Sequence, residues 1–407
     1  MIAFHYPPEG GSGMQRTLKF SKYLPFFGWK PYVLTLKENV YELKDETLLN
    51  EIPPEVKVIR VNTLVSKRHF SMYGKYPDFL AIPDDYWTWI FDGVRVGRRI
   101  IKKENIDIIY STSPIHTAHL IGLMLKKISK KPWIADFRDP WIGGEVRSLN
   151  YPIYRKIIES WLERKVVINC DKLICNTDLM KDDFFNRYPE LARDKFVVVP
   201  NGYDEEDFYN INDTLKEKND NRIIFIHTGE IYPIVRNPLN LLKAVKKACE
   251  KNSKIRNTIL IKFVGGGPYL YSKEFSNIIS KLKIQDCVEI VNHVSHSQCI
   301  NFLYQADVLL LLQQSEKVYM QIPAKTYEYL RVGKPILAIC NYGATANLIK
   351  SLNAGLVVKD EVEEIKQVIM KLCLGKINFN YHREKIEQFE RKNLTKKLAE
   401  VFNELVN

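Results

Sequence analysis

Short apolar runs alternate with longer amphipathic stretches along all 407 residues of the chain. Short apolar runs are typical of buried strands, and the stretches between them carry the 3.6-residue period of helices. This alternation predicts an α/β fold of repeated β-α units, in which helices cover sheets of parallel strands. The predicted strands are 2–6, 30–36, 57–61, 106–111, 132–136, 172–176, 196–199, 222–228, 257–264, 287–291, 308–312, 335–340 and 355–358.

Amphipathic helices are expected between these strands, and a last one follows the final strand. They include 15–27, 115–127, 151–169, 238–251, 271–282, 296–305, 324–332, 362–374 and the terminal 382–405. The chain is too long for one ordinary domain and suits two α/β domains of about 200 residues each. The turn signal Asn201-Gly202 and the acidic stretch after it place the domain boundary at Gly202.

The chain carries a net charge of +12, and the basic excess is spread over both halves. A basic surface suits anionic partners, which are nucleic acid, acidic lipid or phosphorylated small molecules. The sequence contains no signature of a nucleic-acid-binding module. We therefore expect no nucleic-acid partner, and acidic lipid or a phosphorylated small molecule remains.

The seven cysteines form no Cys-x-x-Cys pair, and Cys170 and Cys175 stand in an apolar run. This usage is typical of reduced core residues in a cytoplasmic protein. The sequence contains no signal peptide and no run of about 18 apolar residues, so no membrane-spanning helix is expected. Residues 1–4 resemble the end of a buried strand, so either the first strand is brief or the natural chain begins upstream.

The first candidate site is the loop 7–13 after the first strand, which contains Gly10, Gly11 and Gly13. Glycines let backbone N–H groups approach a phosphate closely, and the N-terminus of the following helix adds a favourable dipole. The spacing matches neither Gly-x-Gly-x-x-Gly nor a P-loop, and a tight strand-to-helix turn is the alternative. The position after the first strand, where open α/β sheets bind ligands, favours the phosphate.

Two further candidate loops follow strands in the second half of the chain. Gly229 comes directly after the strand 222–228, and Arg236 stands just before Pro238, which suits the first turn of a helix. Arg236 is either a guanidinium that forks onto a diphosphate or a surface arginine. Three glycines around Gly266 follow the next strand and either bring the backbone close to a ligand or form a flexible turn.

The most informative segment begins the helix 324–332. Lys325 lies in the first turn of this helix, where anions bind, and it can neutralise a phosphate. Glu328 follows one turn later, and its carboxylate can accept hydrogen bonds from vicinal hydroxyls such as those of ribose. A Lys325–Glu328 surface pair is the alternative, but the turn 333–335 and the tyrosine-rich face around the segment favour a ligand site.

Five segments taken together resemble a bacterial glycosyltransferase of family 4. They are PPEGGSG and QR within 7–16, DFRDPW at 136–141, PNGYD at 200–204, RNP at 236–238, and PAK and EYL within 323–330. They follow the family's order over nearly the whole chain. The resemblance implies a GT-B fold, with two Rossmann-like domains whose parallel sheets face a central cleft. It makes 1–201 the acceptor-side domain and 202–381 the nucleotide-sugar domain, with the terminal helix 382–407 packed back on the first.

The resemblance also implies roles for single residues. Gly11 resembles the backbone donor to the phosphate of the sugar donor, Arg236 and Lys325 resemble the cations on its diphosphate, and Glu328 resembles the second glutamate of an E-x7-E motif that holds the ribose. Met320 stands where the first glutamate of that motif, which meets the donor sugar, is expected. Of the donor-site residues, Arg236, Lys325 and Glu328 are expected to be catalytic. The full expected donor site is Gly10, Gly11, Gly229, Arg236, Gly266, Lys325, Thr326 and Glu328.

Glu230 stands where many members of that family carry a second arginine, which leaves fewer cations for the diphosphate. A leaving diphosphate gains negative charge as the sugar–oxygen bond breaks, and Arg236, Lys325 and helix-terminal N–H groups can offset that charge. The sequence shows no metal-ligand spacing and no Asp-x-Asp motif. The family resemblance likewise implies catalysis without a metal, so neither a metal nor another cofactor is expected.

Candidate acceptor-side residues lie in the first half of the chain. Asp136, Arg138 and Asp139 end a predicted strand and are expected to project into the cleft, although a local Arg138–Asp139 pair is the alternative. His116 and His119 lie three residues apart on a helix whose start should face the cleft. Each is either a polar cleft residue or a structural histidine.

Aromatic and basic residues cluster on two predicted helices of the first half. Clusters of this kind are typical of a surface that contacts an anionic bilayer, and the alternative is a solvated helix face over a packed core. The bilayer hypothesis predicts peripheral contact with the inner face of the cytoplasmic membrane and a lipid-linked acceptor; otherwise a saccharide acceptor is expected. The residues are Trp87, Trp89, Phe91, Arg95, Arg98, Arg99, Lys102, Lys103, Lys126, Lys127, Lys130 and Lys131.

Three functions are therefore compared. The first is a retaining hexosyltransferase that uses a nucleotide-sugar donor to build a surface polysaccharide or glycolipid. The second is a GT-B-type nucleotide-sugar epimerase, which would need acid and base side chains around the sugar; the second-half motifs are poor in them. The third is a catalytically silent nucleotide-sugar-binding protein, which Met320 in place of the motif glutamate keeps open.

Overall fold

A computed structural model describes residues 1–11, 13–71, 76–142, 151–209, 221–375, 379 and 381–406. Ser12 of the glycine-rich loop lies outside the described residues. The chain divides into two units: Met1–Asn201 with Arg391–Asn407, and Gly202–Glu390. The second unit thus extends to Glu390, nine residues beyond the predicted limit at 381.

The first unit is built on a sheet of seven parallel strands. Their bounds are β1 (Ile2–Ala3), β2 (Tyr32–Leu36), β3 (Lys57–Val61), β4 (Ile109–Thr112), β5 (Trp133–Phe137), β6 (Lys172–Cys175) and β7 (Phe196–Val198). In space the strands run β3-β2-β1-β4-β5-β6-β7, with the reversal of order at β1 that is typical of doubly wound sheets. Ligands of such sheets bind outside the carboxyl ends of the strands near this reversal.

Helices connect these strands and cover both faces of the sheet. They are α1 (Gln15–Tyr23), α2 (Ser66–His69), α3 (Trp89–Lys103), α4 (Thr117–Ser129), α5 (Ile153–Asn169) and α6 (Asp178–Arg187). The first helix is shorter than predicted, because Pro25 has no N–H to continue the α-helical ladder. A 3-10 turn, Leu24–Phe27, follows it and ends at Gly28, whose φ of 81° is left-handed.

The second unit contains a sheet of six parallel strands in the spatial order β10-β9-β8-β11-β12-β13. The strands are β8 (Ile223–Thr228), β9 (Ile259–Val264), β10 (Val288–Val291), β11 (Val308–Gln313), β12 (Ile336–Cys340) and β13 (Gly355–Val358). The helices are α7 (Leu239–Lys251), α8 (Ser253–Thr258), α9 (Lys273–Leu282), α10 (His296–Gln305), α11 (Lys325–Val332), α12 (Ala344–Ser351) and α13 (Val362–Cys373). Two parallel sheets with covering helices confirm the predicted α/β class.

The terminal helix α14 (Arg391–Val406) returns to the first unit, where Leu394, Leu398 and Phe402 pack against Phe20 of α1. The prediction that this helix begins near His382 is wrong. Residues 382–390 form 3-10 turns whose backbone groups bond to distant partners: the N–H of His382 donates to Leu352 O at 3.1 Å. Within the described residues, no helix combines the length and the apolar character needed to cross a bilayer.

Candidate functional site

Two glycine loops meet at the carboxyl edge of the second sheet. Gly229 follows β8, and its N–H donates to Val264 O at the end of β9 over 2.8 Å. The N–H of Ile231 donates to Gly266 O at 2.9 Å, which joins the two loops directly. Gly229 and Gly265 adopt left-handed φ values of 83° and 71°, which other residues rarely adopt. The predicted candidates Gly229 and Gly266 therefore lie side by side.

Lys325 is the first residue of α11, and its side chain extends to this edge of the sheet. Its Nζ lies 2.9 Å from Nε2 of His227 and donates to the carbonyl of Thr228. A Cβ atom on Gly229 would lie 3.6 Å from the same Nζ, so glycine leaves room for the lysine side chain. The hydroxyl of Tyr329 accepts from the N–H of Thr228 at 3.0 Å and ties α11 to the end of β8.

His227 has a fixed tautomer, because each ring nitrogen has one partner. Nε2 faces the Lys325 ammonium, which can only donate, so Nε2 accepts and the proton resides on Nδ1. Nδ1 then donates to Leu310 O at 3.0 Å. Burial first, and then the charges of Lys325 and Arg236, hold the pKa of His227 well below its ordinary value. The imidazole is therefore neutral and positions the lysine.

Arg236 is the second cation at this edge. Its Nη1 donates to Glu230 O at 3.2 Å, and its buried Nε has no hydrogen-bond partner among the described residues. Burial lowers the pKa of Arg236, and burial together with the charge of Arg236 holds the pKa of Lys325 well below its ordinary value. Neither side chain forms an ion pair with a carboxylate in the part of the chain that the structure describes. The charges of Glu328 and Glu230 raise the pKa values of Lys325 and Arg236 less than burial lowers them. Two neighbouring, partly desolvated cations form a site that a further anion would stabilise.

Glu328 lies one turn after Lys325, where its Oε1 is 2.9 Å from Nε2 of His296 at the start of α10. No sequence pattern predicted a role for His296 or for His227. A capping box of Ser295 and Gln298 marks the start of α10. This local signal does not reveal that His296 lies beside Glu328, which is 32 positions later in the chain. The hydroxyl of Thr326, another predicted candidate, is buried without a hydrogen-bond partner among the described atoms.

Met320 and Glu230, which depart from the family pattern, lie in different settings. The Met320 side chain is 2% exposed and belongs to the core, so no carboxylate is supplied at the position of the first motif glutamate. Glu230 accepts a hydrogen bond from the hydroxyl of Tyr232. Glu328 is therefore the carboxylate that acts on Lys325 among the described residues of the second unit.

The expectation that Asp136 projects into a cleft is wrong. Its side chain is completely buried and receives two hydrogen bonds from Arg16, at 2.9 and 2.8 Å. Tyr110 and Thr112 donate to the same carboxylate at 2.5 and 2.8 Å. Burial alone would raise the pKa of Asp136, but the charge of Arg16 and these hydrogen bonds lower it. Asp136 is thus an ionised structural residue.

Arg138 and Asp139 do lie beside the loop after β1. Nη1 of Arg138 donates to Gly13 O at 2.6 Å rather than pairing with Asp139, and burial raises the pKa of Asp139. In the same loop, Nδ1 of His5 lies 2.8 Å from both carboxylate oxygens of Glu9.

Gly10 and Gly11 differ in their surroundings. A Cβ on Gly10 would come within 2.9 Å of Leu43, whereas a Cβ on Gly11 would meet no atom within 4 Å. Gly11 also has a φ of 102°. Gly11 is therefore the open position of the loop, and Gly10 is packed against its neighbour.

His116 and His119 are both buried, which favours the structural alternative over a polar cleft role for each. His116 stacks on Trp141 with ring centroids 4.2 Å apart, and His119 stacks on Phe137 at 4.5 Å. Nδ1 of His119 lies 2.9 Å from the hydroxyl of Ser111. Burial lowers the pKa of His119 to about 3, so it is a neutral core residue.

Two family models together match nearly the whole chain. "Glycosyltransferase Family 4" matches residues 18–207, and "Glycosyl transferases group 1" matches residues 210–393. The chain belongs to the GT-B glycosyltransferases. The resemblance to family 4 and the predicted GT-B fold are therefore confirmed.

The glycosyltransferase has distant curated relatives. It is 21% identical over 240 residues to the phosphatidylinositol N-acetylglucosaminyltransferase GPI3 subunit of Saccharomyces cerevisiae, an alignment covering 58% of this chain and 49% of the yeast protein. The chain thus spans about half the length of these yeast relatives. It is 23% identical over 285 residues to an uncharacterized glycosyltransferase of Methanocaldococcus jannaschii, with 70% of each chain covered.

Among solved structures, the glycosyltransferase is similar to Anabaena HepE in complex with UDP and glucose. The TM-score is 0.69, the identity is 14%, and 99% of each chain is covered. Likeness at this identity shows the shared fold. The described residues of the glycosyltransferase include no group of three or more His, Cys, Asp or Glu side chains that could hold a metal ion.

The three aromatic residues predicted to meet a bilayer differ in exposure, and Trp87 is half-buried. Trp89 is fully buried, so its assignment to the surface is wrong, whereas Phe91 is exposed. The basic residues of α3 are exposed, but Lys126 is paired with Asp171 at 2.6 Å. The basic surface of α3 therefore remains, with one exposed aromatic residue on the helix.

Proposed function

We propose that the protein transfers a hexose, with retention of anomeric configuration, from a nucleoside diphosphate sugar to a lipid-linked or saccharide acceptor in polysaccharide or glycolipid synthesis. The observation that carries the proposal is the pair of neighbouring, partly desolvated cations at the carboxyl edge of the second sheet, Arg236 and Lys325. Among the described residues, neither cation forms a salt bridge with a carboxylate. A diphosphate supplies the charge that this edge lacks. A uridine nucleotide is the proposed carrier because HepE, which shares the fold, is seen with UDP.

Each donor-site residue has a proposed contact. Arg236 and Lys325 bind the diphosphate, and Glu328 accepts hydrogen bonds from the ribose hydroxyls. Gly229 and Gly266 let the backbone approach the donor, and the Thr326 hydroxyl supplies a further polar group. In the first unit, the open position Gly11 is proposed to offer its N–H to the donor phosphate.

In the proposed reaction the bond between the anomeric carbon and the diphosphate oxygen breaks, and the anomeric carbon bonds to the acceptor hydroxyl oxygen. The hydroxyl proton passes to the leaving diphosphate. Negative charge on that diphosphate grows as the bond breaks, so Arg236 and Lys325 stabilise the transition state more than the ground state. The proposal assigns no step to a metal ion.

The proposed acceptor rests on chemistry outside the second unit. The name of the yeast relative specifies phosphatidylinositol, which supports a lipid acceptor. Arg138 and Asp139 lie beside the loop after β1 and are the proposed acceptor-side polar groups. Asp136, His116 and His119 are left out because they are buried.

A donor panel tests the proposal. The purified protein is mixed with UDP-, GDP- and ADP-hexoses, and its melting temperature and the release of nucleoside diphosphate are measured. One of the three nucleotide-sugars is expected to raise the melting temperature, because a ligand that binds the folded state raises its stability. The same nucleotide-sugar is expected to release nucleoside diphosphate slowly. Binding without turnover on any acceptor would instead identify a catalytically silent binding protein. Failure of every nucleotide to bind would overturn the proposal.

A further inference from the structure

Helix α5 presents its apolar side chains outward. Ile153, Ile157 and Trp161 follow one another at intervals of four residues, which places them on one face. They are 74, 63 and 57% exposed. Single exposed hydrophobic residues of this size are common, but a contiguous row of them marks an interaction surface. The outward face of α5 is defined here by its large exposed apolar residues, which are Ile153, Tyr154, Ile157, Ile158, Trp161 and Ile168.

The inward side of the same helix carries charge. Arg155, Glu159 and Glu163 are buried. Arg155 donates to Glu159 at 2.7 Å and to Ala81 O at 2.8 Å, and Glu159 also accepts from the indole of Trp141 at 3.0 Å. Rotating α5 to bury its apolar side would leave these charges unpaired, at a cost of several kcal/mol. The exposure of the outward face is therefore fixed by the fold.

The exposed charged residues on the helices around this face are basic. Helix α4 packs against both α3 and α5, so the three helices share one side of the first sheet. Asp92 pairs with Arg95 at 2.7 Å and Glu190 pairs with Arg164 at 2.9 Å, whereas Glu159 and Glu163 are buried. The other exposed basic residues of the three helices outnumber these two carboxylates, so the surface keeps a basic excess. An apolar row with a basic surround complements an anionic bilayer, whereas a second copy would bring two basic surfaces together. The exposed basic residues are Arg95, Arg98, Arg99, Lys102, Lys103, Lys127, Lys156, Arg164 and Lys165.

We propose that the outward face of α5 docks the protein on an anionic lipid bilayer, with Ile153, Ile157 and Trp161 inserted at the headgroup level. Basic side chains of α3, α4 and α5 contact the lipid phosphates, and the indole suits the interface.

The inference deepens the proposed function. Binding to the bilayer does not depend on that function, but the role given to the binding, access to a lipid-linked acceptor, does. The segment after Asp139 is bonded to α5, because the indole of Trp141 donates to Glu159 and the N–H of Ile142 donates to Glu163, both at 3.0 Å. Docking on α5 would therefore bring the proposed acceptor-side groups towards a lipid-linked acceptor.

Vesicle sedimentation tests the docking without donor or acceptor. The full chain is expected to bind vesicles of phosphatidylcholine with about 30% phosphatidylglycerol and to release them as salt rises, since screening weakens surface electrostatics. Ile157→Ser with Trp161→Ser is expected to lower the partition coefficient about 10-fold or more, because it removes inserted apolar area. The matched control, Tyr271→Ser with Leu374→Ser, changes exposed apolar residues of the second unit and should bind like the unchanged protein.

Depth is measured by quenching with brominated lipid. Trp161 is the most exposed tryptophan, whereas Trp89, Trp133 and Trp141 are fully buried. Quenching is expected in the unchanged protein and lost in Trp161→Phe, which should still bind vesicles. Three results would overturn the proposal: no binding to anionic vesicles, equal binding by the Ile157/Trp161 variant, or a dimer that this variant dissociates without any vesicle binding. None of these results bears on donor turnover, so the proposed function is tested separately.

Discussion

Nζ of Lys325 lies 2.9 Å from Nε2 of His227, although the two residues are 98 positions apart. The imidazole accepts from the ammonium and is itself anchored to Leu310 O. The lysine is thereby aimed at the edge beside Gly229. The charge of Glu328 raises the pKa of Lys325 by less than burial lowers it. The protein keeps this cation partly desolvated in the absence of ligand, which is a cost that a bound diphosphate would offset.

Removal of either Lys325 or Glu328 is expected to reduce turnover strongly. Lys325→Ala and Glu328→Ala should each lower kcat/KM for the donor about 10²-fold or more, because each deletes a charged contact to the donor. Release of nucleoside diphosphate at varied donor concentration measures the effect. Lys281→Ala changes an exposed lysine of α9 and is the control. Unchanged activity in both site variants would show that the donor site is misassigned.

Donor binding is expected to take up protons, because Lys325 has a lowered pKa in the free protein. A bound diphosphate raises the pKa of Lys325 towards its ordinary value. The affinity for the donor therefore falls as pH rises through the pKa that Lys325 has in the free protein. Calorimetry in buffers of different ionisation enthalpy measures the uptake. The neighbouring His227, Arg236, Cys299 and Glu328 also act on Lys325 or lie beside it.

Two variants assign the proton to a residue. Lys325→Met should abolish the uptake, while His227→Gln should keep some of it and weaken binding, because Nζ loses its positioning partner. Uptake that persists unchanged in Lys325→Met would contradict the assignment to the lysine.

The sequence predicted the strands well because a fully buried parallel strand is a short apolar run with turn residues at both ends. Each of the thirteen strands that the structure describes lies within about three residues of its predicted bounds at either end; β1, for example, ends at Ala3 rather than residue 6. The positions of Lys325 at a helix start and of Gly229 directly after a strand were also predicted, since both have a local signal, and the structure places the two side by side.

Long-range pairing could not be predicted in the same way. Asp136 has the sequence signal of a cleft residue, but Arg16, 120 positions earlier, neutralises it in the core. His296 and His227 gain their importance from contacts with Glu328 and Lys325, which no local periodicity reveals. The burial of Trp89 was also missed. Its basic neighbours in the sequence are exposed, but α3 buries one face only, and Trp89 lies on that face.

His296 is expected to orient Glu328 for the donor. Replacement by alanine removes the 2.9 Å contact to the carboxylate, so His296→Ala should raise KM for the donor several-fold with little change in kcat. His296→Gln, which retains a donor, should recover part of the affinity. His293→Ala replaces an exposed histidine three residues earlier and should behave like the unchanged protein. A fall in kcat at constant KM would argue against a role in ground-state binding.

The Arg16–Asp136 pair is expected to govern stability. Removing one partner leaves a buried charge unpaired, so Arg16→Met should lower the free energy of unfolding by about 3–5 kcal/mol. Arg16 also donates to the carbonyls of Val199 and Pro200 at 2.8 Å, and these bonds would be lost as well.

Denaturant titration of the single and double variants isolates the pairwise contribution. The exposed pair of Arg95 and Asp92 serves as the control, and its removal should cost less than about 1 kcal/mol. Similar losses for the two pairs would contradict the structural role of Asp136.

His119 is expected to make the folded protein sensitive to acid. Burial lowers the pKa of its imidazole from 6.5 to about 3, so in this interval the unfolded chain binds a proton that the folded protein excludes. The stability that neutral His119 contributes is complete above pH 6.5 and is lost as pH falls towards 3, by up to about 1.4 kcal/mol per pH unit. Unfolding free energies measured across this range should therefore show a shallower acid slope for His119→Asn than for the unchanged protein. His293→Asn, at an exposed position, should leave the slope as it is. Identical slopes for His119→Asn and the unchanged protein would contradict the prediction, because they would mean that His119 has the same pKa in the folded and unfolded states. Its complete burial, with the ring stacked on Phe137, is the reason to expect different pKa values.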